Sequence, residues 1–280
     1  MPLILSSDAQ NARKKKRTGT PIRAPRSVEV EYRRALAELN RATKNATRLI
    51  AREIAQGATR AEAVRLIEQQ IAMSRARYQA AAQQLPGSMV NSLSERGRQQ
   101  VQNMVKRSMG VDFATIVDNE QVAEQLDIAK LRNAQLIESI PEQHWSRVIQ
   151  AVSDNFEGRP LGKGGLTRQL QQIGGITDKR ARIIARDQTA KLSTDLARVR
   201  QEDIGVKSYI WRNSQDSRVV GNPTGKYPEG SPRHLDHWGR EGREYRWDSP
   251  PADGHPGQPI LCRCRAEPVI NLDDLNVTFI

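Results

Sequence analysis

Cysteine is scarce in this sequence: Cys262 and Cys264 are the only two. A bridge between residues two apart closes a very small ring and strains the dihedral it needs, so a secreted disulfide framework is excluded. The thiols are expected to be reduced or metal-bound, in a reducing compartment. No window approaches the ~18 apolar residues of a membrane span, and the short run MPLILSS stands before the basic cluster, the reverse of a secretory signal. A soluble protein with no membrane partner is the expectation. Aromatics make up only 4% of the chain and crowd between Trp211 and Trp247, which predicts the best-formed core in the C-terminal third. Catalytic spacings are missing too: there is no His-Glu-x-x-His, no Gly-x-Ser-x-Gly elbow, and GRPLGKGG lacks the Lys-Ser/Thr pair of a phosphate loop.

Positive charge is what the chain has in excess, with a net charge of +12. Residues 1–26 carry Arg13, Lys14, Lys15, Lys16, Arg17, Arg23 and Arg26 against Asp8 alone, whereas from Lys207 to Ile280 ten basic residues meet ten acidic ones. The expected partner of such an arm is double-stranded DNA, met through its phosphates without reading sequence. A solubilising tail is the plainer alternative. NARKKKRTGTPIRAPR has no apolar period, so 1–26 is expected to be a disordered basic arm.

Helical periodicity begins at Ser27, read as a cap. Leu36, Leu39, Ala46, Ile50 and Ile54 recur at helical spacing up to Gly57. Thr59 and Glu62 form a capping box, and Ala63, Leu66, Ile67, Ile71 and Tyr78 carry the next stripe to Pro86-Gly87, which predicts an antiparallel hairpin turning at Gly57. Further stripes lie at Val90–Val105, Val122–Ile140 and, after Pro141, Trp145–Val152. EGRPLGKGGL reads as a hinge, LTRQLQQIGG as a short helix, and the stretch to Gly205 as a long helix capped by Thr177. In that region Ile173, Ile176, Ile183 and Ile184 are expected in the core and Arg180, Arg182 and Arg186 on a solvated face. VKSYIWRN and AEPVINL alternate like strands, with a short helix expected at SPRHLDHWG. The fold class is therefore mainly α: long helices and hairpins in a helical domain over 27–160, then a small α+β module over 161–280.

Two cysteines two apart on an extended chain put both sulfurs on one face, and His234 and His237, three apart, would share a helical face. Four such donors could hold Zn²⁺ tetrahedrally, with Asp253 or His255 able to replace one of them. The other reading is that buried thiols and hydrogen-bonded imidazoles simply pack the small module. Asp216 and His237, with a metal, would also supply the parts of a nuclease.

The ordered set of features carries a resemblance. ARIIARDQTAK is followed by a strand with Trp211, an Asp-x-Arg at Asp216 and Arg218, and Arg233, His237 and Gly242 at set spacings. Then come SPP, with Pro250 and Pro251, and CRC at Cys262, Arg263 and Cys264. Over about Gly162 to Leu272 this resembles the head morphogenesis family of tailed bacteriophages, the Mu F-like minor head proteins. Here ADGHPGQPIL separates the proline pair from the cysteines, and no cysteine lies near the Asp-Arg segment, where family members with a cysteine pair look like zinc sites. The resemblance implies a minor head protein inside the virion, present in the host cytoplasm during assembly. It would be docked on the portal protein or a capsid or scaffold partner, act in head assembly and DNA packaging or delivery, and have no enzymatic activity. A metal-dependent nuclease is the alternative.

Overall fold

A computed structural model describes residues 17–109, 120–162, 164–230, 235–271 and 274. Arg13, Lys14, Lys15, Lys16, Arg233 and His234 lie outside the described residues. Among the described residues the chain forms four long helices and one small antiparallel sheet: β1 (Arg17–Thr18), α1 (Arg26–Ala55), α2 (Arg60–Met109), α3 (Glu120–Phe156), α4 (Gly165–Asp203), β2 (Ser208–Arg212), β3 (Glu244–Arg246) and β4 (Arg265–Ile270). The mainly helical class with a C-terminal α+β region is the class expected from the sequence.

Chain order does not divide the molecule as 27–160 and 161–280. One compact unit takes Ser27–Met89 and Ile128–Arg186; the other takes the described parts of Met1–Arg26, Val90–Asp127 and Asp187–Ile280. Each of α2, α3 and α4 supplies residues to both units. Unbroken apolar stripes hide such a division, because a helix shows the same period whichever partner covers it.

In the helical unit, Thr59 and Glu62 cap α2 reciprocally. The Thr59 N–H donates to Glu62 Oε2 at 2.8 Å and the Glu62 N–H to Thr59 Oγ1 at 3.3 Å. Gly57, at φ +96, makes the turn before it. Ile50, Ile67, Trp145, Val148, Leu170 and Ile173 share an apolar core. Each such side chain contributes about 1.5–3 kcal/mol when fully buried. Leu36 and Ile50 of the expected α1 stripe are buried and Leu39, Ala46 and Ile54 are half-buried; the buried line is Val28, Tyr32, Leu36, Asn40, Thr43, Thr47 and Ile50. Its polar members are satisfied: Tyr78 donates to Asn40 Oδ1 at 2.7 Å, and Asn40 Nδ2 to Asp178 Oδ1 at 3.2 Å.

Three expected breaks are absent. α2 continues through Pro86 and α3 through Pro141. Each proline forfeits one backbone hydrogen bond and costs about 3 kcal/mol, but buried Tyr78, Ala82 and Met89 on α2, and Ile137, Ile140 and Trp145 on α3, hold the helices to their cores. α4 likewise runs through Gly174-Gly175, where a Cβ at Gly174 would press on the Lys44 side chain at 3.0 Å, so the glycine serves close helix approach. Thr177 is thus no cap: its hydroxyl donates to the Ile173 carbonyl at 3.0 Å, within the helix. Ile176, expected in the core, is 46% exposed.

In the second unit the sheet order is β1-β4-β2-β3, every pair antiparallel. Trp211 faces Ala266 and Tyr209 faces Pro268, so the period of two puts Tyr209 and Trp211 on one buried face. With Trp247, Cys262 and Cys264 they form one buried apolar cluster of this unit. The basic arm is not disordered up to residue 26. Arg17 pairs with Ile270 and Thr18 with Val269, and the Gly19 N–H donates to the Pro268 carbonyl at 2.9 Å. An edge of two residues carries too little pattern to be read from sequence. Leu235–Gly239, the described part of the expected short helix, is bends and turns.

Candidate metal centre

α4, beyond its role as a core helix, anchors the loop that delivers the cysteines. Asp187 accepts a hydrogen bond from the Leu261 N–H at 2.9 Å, holding Leu261 in a left-handed conformation (φ 58) immediately before Cys262. Lys191 pairs with Asp187 at 2.7 Å. One turn on, the Thr194 hydroxyl donates to the Pro256 carbonyl at 3.0 Å, and Asp195 accepts from Gln258 Nε2 at 2.9 Å. Gly257, at φ +92, lies so close that a Cβ would meet Thr194 Oγ1 at 2.4 Å. ARIIARDQTAK supplies Asp187 and Lys191 to this clamp, and the next turn of the helix supplies Thr194 and Asp195. Asp187 was not singled out by sequence reasoning, although it lies inside the quoted motif.

Cys262 and Cys264 precede β4 rather than lying within it, and both sulfurs converge on one imidazole. His237 Nδ1 is 3.6 Å from Cys262 Sγ and 3.6 Å from Cys264 Sγ. Ligand atoms of the three residues all lie within 4.8 Å of one another. The cluster is deeply buried, with His237 3%, Cys262 8% and Cys264 7% exposed. On the far side of the ring, His237 Nε2 meets Asp253 Oδ2 at 3.0 Å, and Asp253 also accepts from Arg240 at 2.7 Å and from the Leu235 N–H at 2.8 Å. Arg240 in turn lies 4.8 Å above the Trp211 ring, whose own edge-on neighbour, 5.1 Å away, is His237.

The electrostatics follow from this packing. A hydrogen bond from Cys264 holds the Cys262 thiol well below its usual range against the cost of burial, aided by His237 and by the Gly257 N–H at 3.4 Å from the sulfur. Donating to Cys262 and lying buried both push Cys264 up. Burial pulls His237 down, but Cys262 and Asp253 together outweigh it and raise it. Such a cluster can hold a soft metal ion or keep a buried thiolate–imidazolium pair.

The remaining expected residues that the structure describes have partners of their own. Asp216 is not brought to His237: it accepts from Nη1 and Nη2 of Arg263 and from the Arg218 N–H at 2.9 Å, which hold it below the usual carboxylate range. The nuclease constellation of Asp216 with His237 therefore does not form. His255 takes no part either, its Nδ1 lying 3.0 Å from the Tyr209 hydroxyl and its ring packed edge-on against Trp247. Gly242, at φ +75, lets its N–H reach the Trp211 carbonyl at 2.9 Å. Pro251 accepts the Gly254 N–H at 2.8 Å, closing the turn after Pro250. Arg17 Nη1 donates to the Ser108 carbonyl and the Arg23 N–H to Gln100 Oε1, so part of the basic arm is engaged within its own unit.

Fold and site together define a small aromatic α+β module closed by a Cys-x-Cys segment. Residues 159–267 match the family model described as Phage Mu protein F like protein, so this segment is phage Mu F-like, as the ordered motifs implied. A protein of Haemophilus influenzae, named only as an uncharacterized protein, is 27% identical over 281 residues. The match covers 97% of this chain and 59% of that relative's length. No solved structure matches. Among the described residues no helix is long and apolar enough to cross a membrane.

Proposed function

We propose that the chain is a minor head protein of a tailed bacteriophage, acting without catalysis in head assembly and in DNA packaging or delivery. The observation that carries this reading is the family match over 159–267, which takes in the clamp on α4, the aromatic sheet face and the Cys-x-Cys segment. In the proposed role the module is a folded docking unit for the portal protein or an inner-shell capsid or scaffold partner. The cations of 13–16 meet packaged double-stranded DNA through its phosphates, each neutralised phosphate releasing counterions.

Mass spectrometry of purified particles, together with a deletion of the gene, tests the role. The chain should be found inside heads, and its loss should leave heads that are malformed or carry DNA they cannot deliver. Normal infectious particles without it would overturn the proposal. For the DNA contact, the truncation should remove 1–16 and stop there, because Arg17 and Thr18 belong to the sheet. Binding to linear duplex should weaken and its salt dependence flatten; unchanged binding removes the arm from the account. The converging donors at His237 keep one rival reading in play, a metal-dependent nuclease. Plasmid nicking abolished by His237→Ala would establish that rival.

A further inference from the structure

We propose that Cys262 Sγ, Cys264 Sγ and His237 Nδ1 bind one tetrahedral zinc-class divalent ion, which staples the Cys-x-Cys segment to the loop carrying His237. This inference is independent of the role in phage heads.

Geometry is the first support. Bonds of about 2.3 Å to sulfur and about 2.0–2.1 Å to nitrogen, at tetrahedral angles, set a sulfur-to-nitrogen edge of about 3.5 Å. Both observed edges are 3.6 Å. A single Cys–His hydrogen bond needs one sulfur at the ring nitrogen; two at the same distance describe a coordination face.

The outer contacts match a metal ligand set. With its proton on Nε2, donated to Asp253, the His237 ring is fixed in the tautomer that aims the Nδ1 lone pair at the sulfurs. Arg240 neutralises Asp253 at 2.7 Å, so two thiolates, a neutral imidazole and a divalent ion complete a centre with no net charge. That balance suits so buried a place, where an uncompensated charge costs several kcal/mol. Loading releases two protons to solvent, one for each thiolate formed. The Gly257 N–H points at Cys262 Sγ, and the Trp211 indole N–H, turned toward the Cys264 sulfur, lowers its proton affinity. Both are donors a metal-bound thiolate would accept.

Donor chemistry selects the ion. Thiolate and imidazole favour zinc over magnesium or calcium, which take oxygen ligands. Three donors from this chain leave one tetrahedral position for a water or another donor. A buried Cys262–His237–Asp253 relay with Cys262 as a nucleophile is the competing chemistry. It gives no role to Cys264 and leaves the reacting sulfur where substrate cannot reach it.

The test uses the full chain, expressed in zinc-supplemented medium and purified without chelator. Elemental analysis should find one zinc per chain. Cobalt(II) loaded after chelation should give the intense visible bands of a tetrahedral thiolate site, and both thiols should resist N-ethylmaleimide until chelator is added. Cys264→Ser should reduce the zinc content. Asp253→Asn, which keeps all three donors, should keep the stoichiometry and weaken affinity about 10- to 100-fold. Folded wild-type protein with no bound metal, no cobalt spectrum and freely titrating thiols overturns the proposal. Selective alkylation of Cys262 in such metal-free protein would point to the nucleophile instead.

Discussion

Two histidines are buried in separate units of this molecule, and their surroundings push them in opposite directions. His144, on α3 in the helical unit, lies between two hydroxyls: Thr47 Oγ1 is 2.8 Å from Nε2 and Thr177 Oγ1 is 2.9 Å from Nδ1. A neutral ring donates from one nitrogen and accepts at the other, and burial, with Arg147 adding to it, pulls the pKa down to about 4. His237 is as thoroughly buried, yet the Cys262 thiol and the Asp253 carboxylate outweigh burial and raise it. Burial disfavours charge equally at both places; the partners decide whether the imidazole becomes a neutral brace or a candidate ligand.

The largest effect expected is on the His237 side. Trp211→Ala removes the ring that carries Arg240 and His237, and should cost about 3–5 kcal/mol of stability in urea denaturation. Retention of wild-type stability would show that the aromatic face does not hold the cluster. Next comes acid sensitivity at His144. Its folded pKa, about 4, lies below the unfolded value of 6.5, so the unfolded chain binds the extra proton across that window. Stability should therefore fall as the pH drops from about 6.5 to about 4, by about 3 kcal/mol relative to His144→Gln, and change little from this source below that. Parallel pH profiles for the two proteins would contradict the neutral-brace account.

Asp253→Asn should rank third in metal-free protein, at about 2 kcal/mol, because it deprives Arg240 and His237 of a charged acceptor while keeping the shape. Smallest is Thr47→Val, which leaves one ring nitrogen of His144 without its partner for about 1 kcal/mol. A cost as large as that of Asp253→Asn would mean that hydroxyl and carboxylate partners are equivalent here, and the comparison would fail.

Much of this was legible in the residues. The capping box at Thr59 and Glu62, the helical stripes, the strands around Trp211 and Val269, and the choice of His237, Cys262 and Cys264 as candidate donors all follow from spacing and residue type. Less legible were features that depend on what lies opposite. Pro86, Pro141 and Gly174-Gly175 read as breaks because local propensity favours a break, yet burial on both sides of each holds the helix. Asp187 reads as one more charge on a helical face, and only the close approach of Leu261 shows it to be an anchor. Asp253 was weighed as a replacement ligand; the structure puts it behind the ligand, on the other nitrogen of His237.

By itself the sequence determined the helical periods, the alternation of the strands, the ordered motifs of the phage Mu F-like segment and the candidate donors, since all of these are set by neighbours a few residues apart. The tertiary structure alone decided that the helices are shared between two interleaved units, that His144 braces while His237 joins the sulfurs, and that Asp216 serves Arg263 instead of a catalytic site. Those outcomes turn on side chains 25 to 97 positions apart meeting in a low-dielectric interior, where the partner a group finds outweighs its own preference.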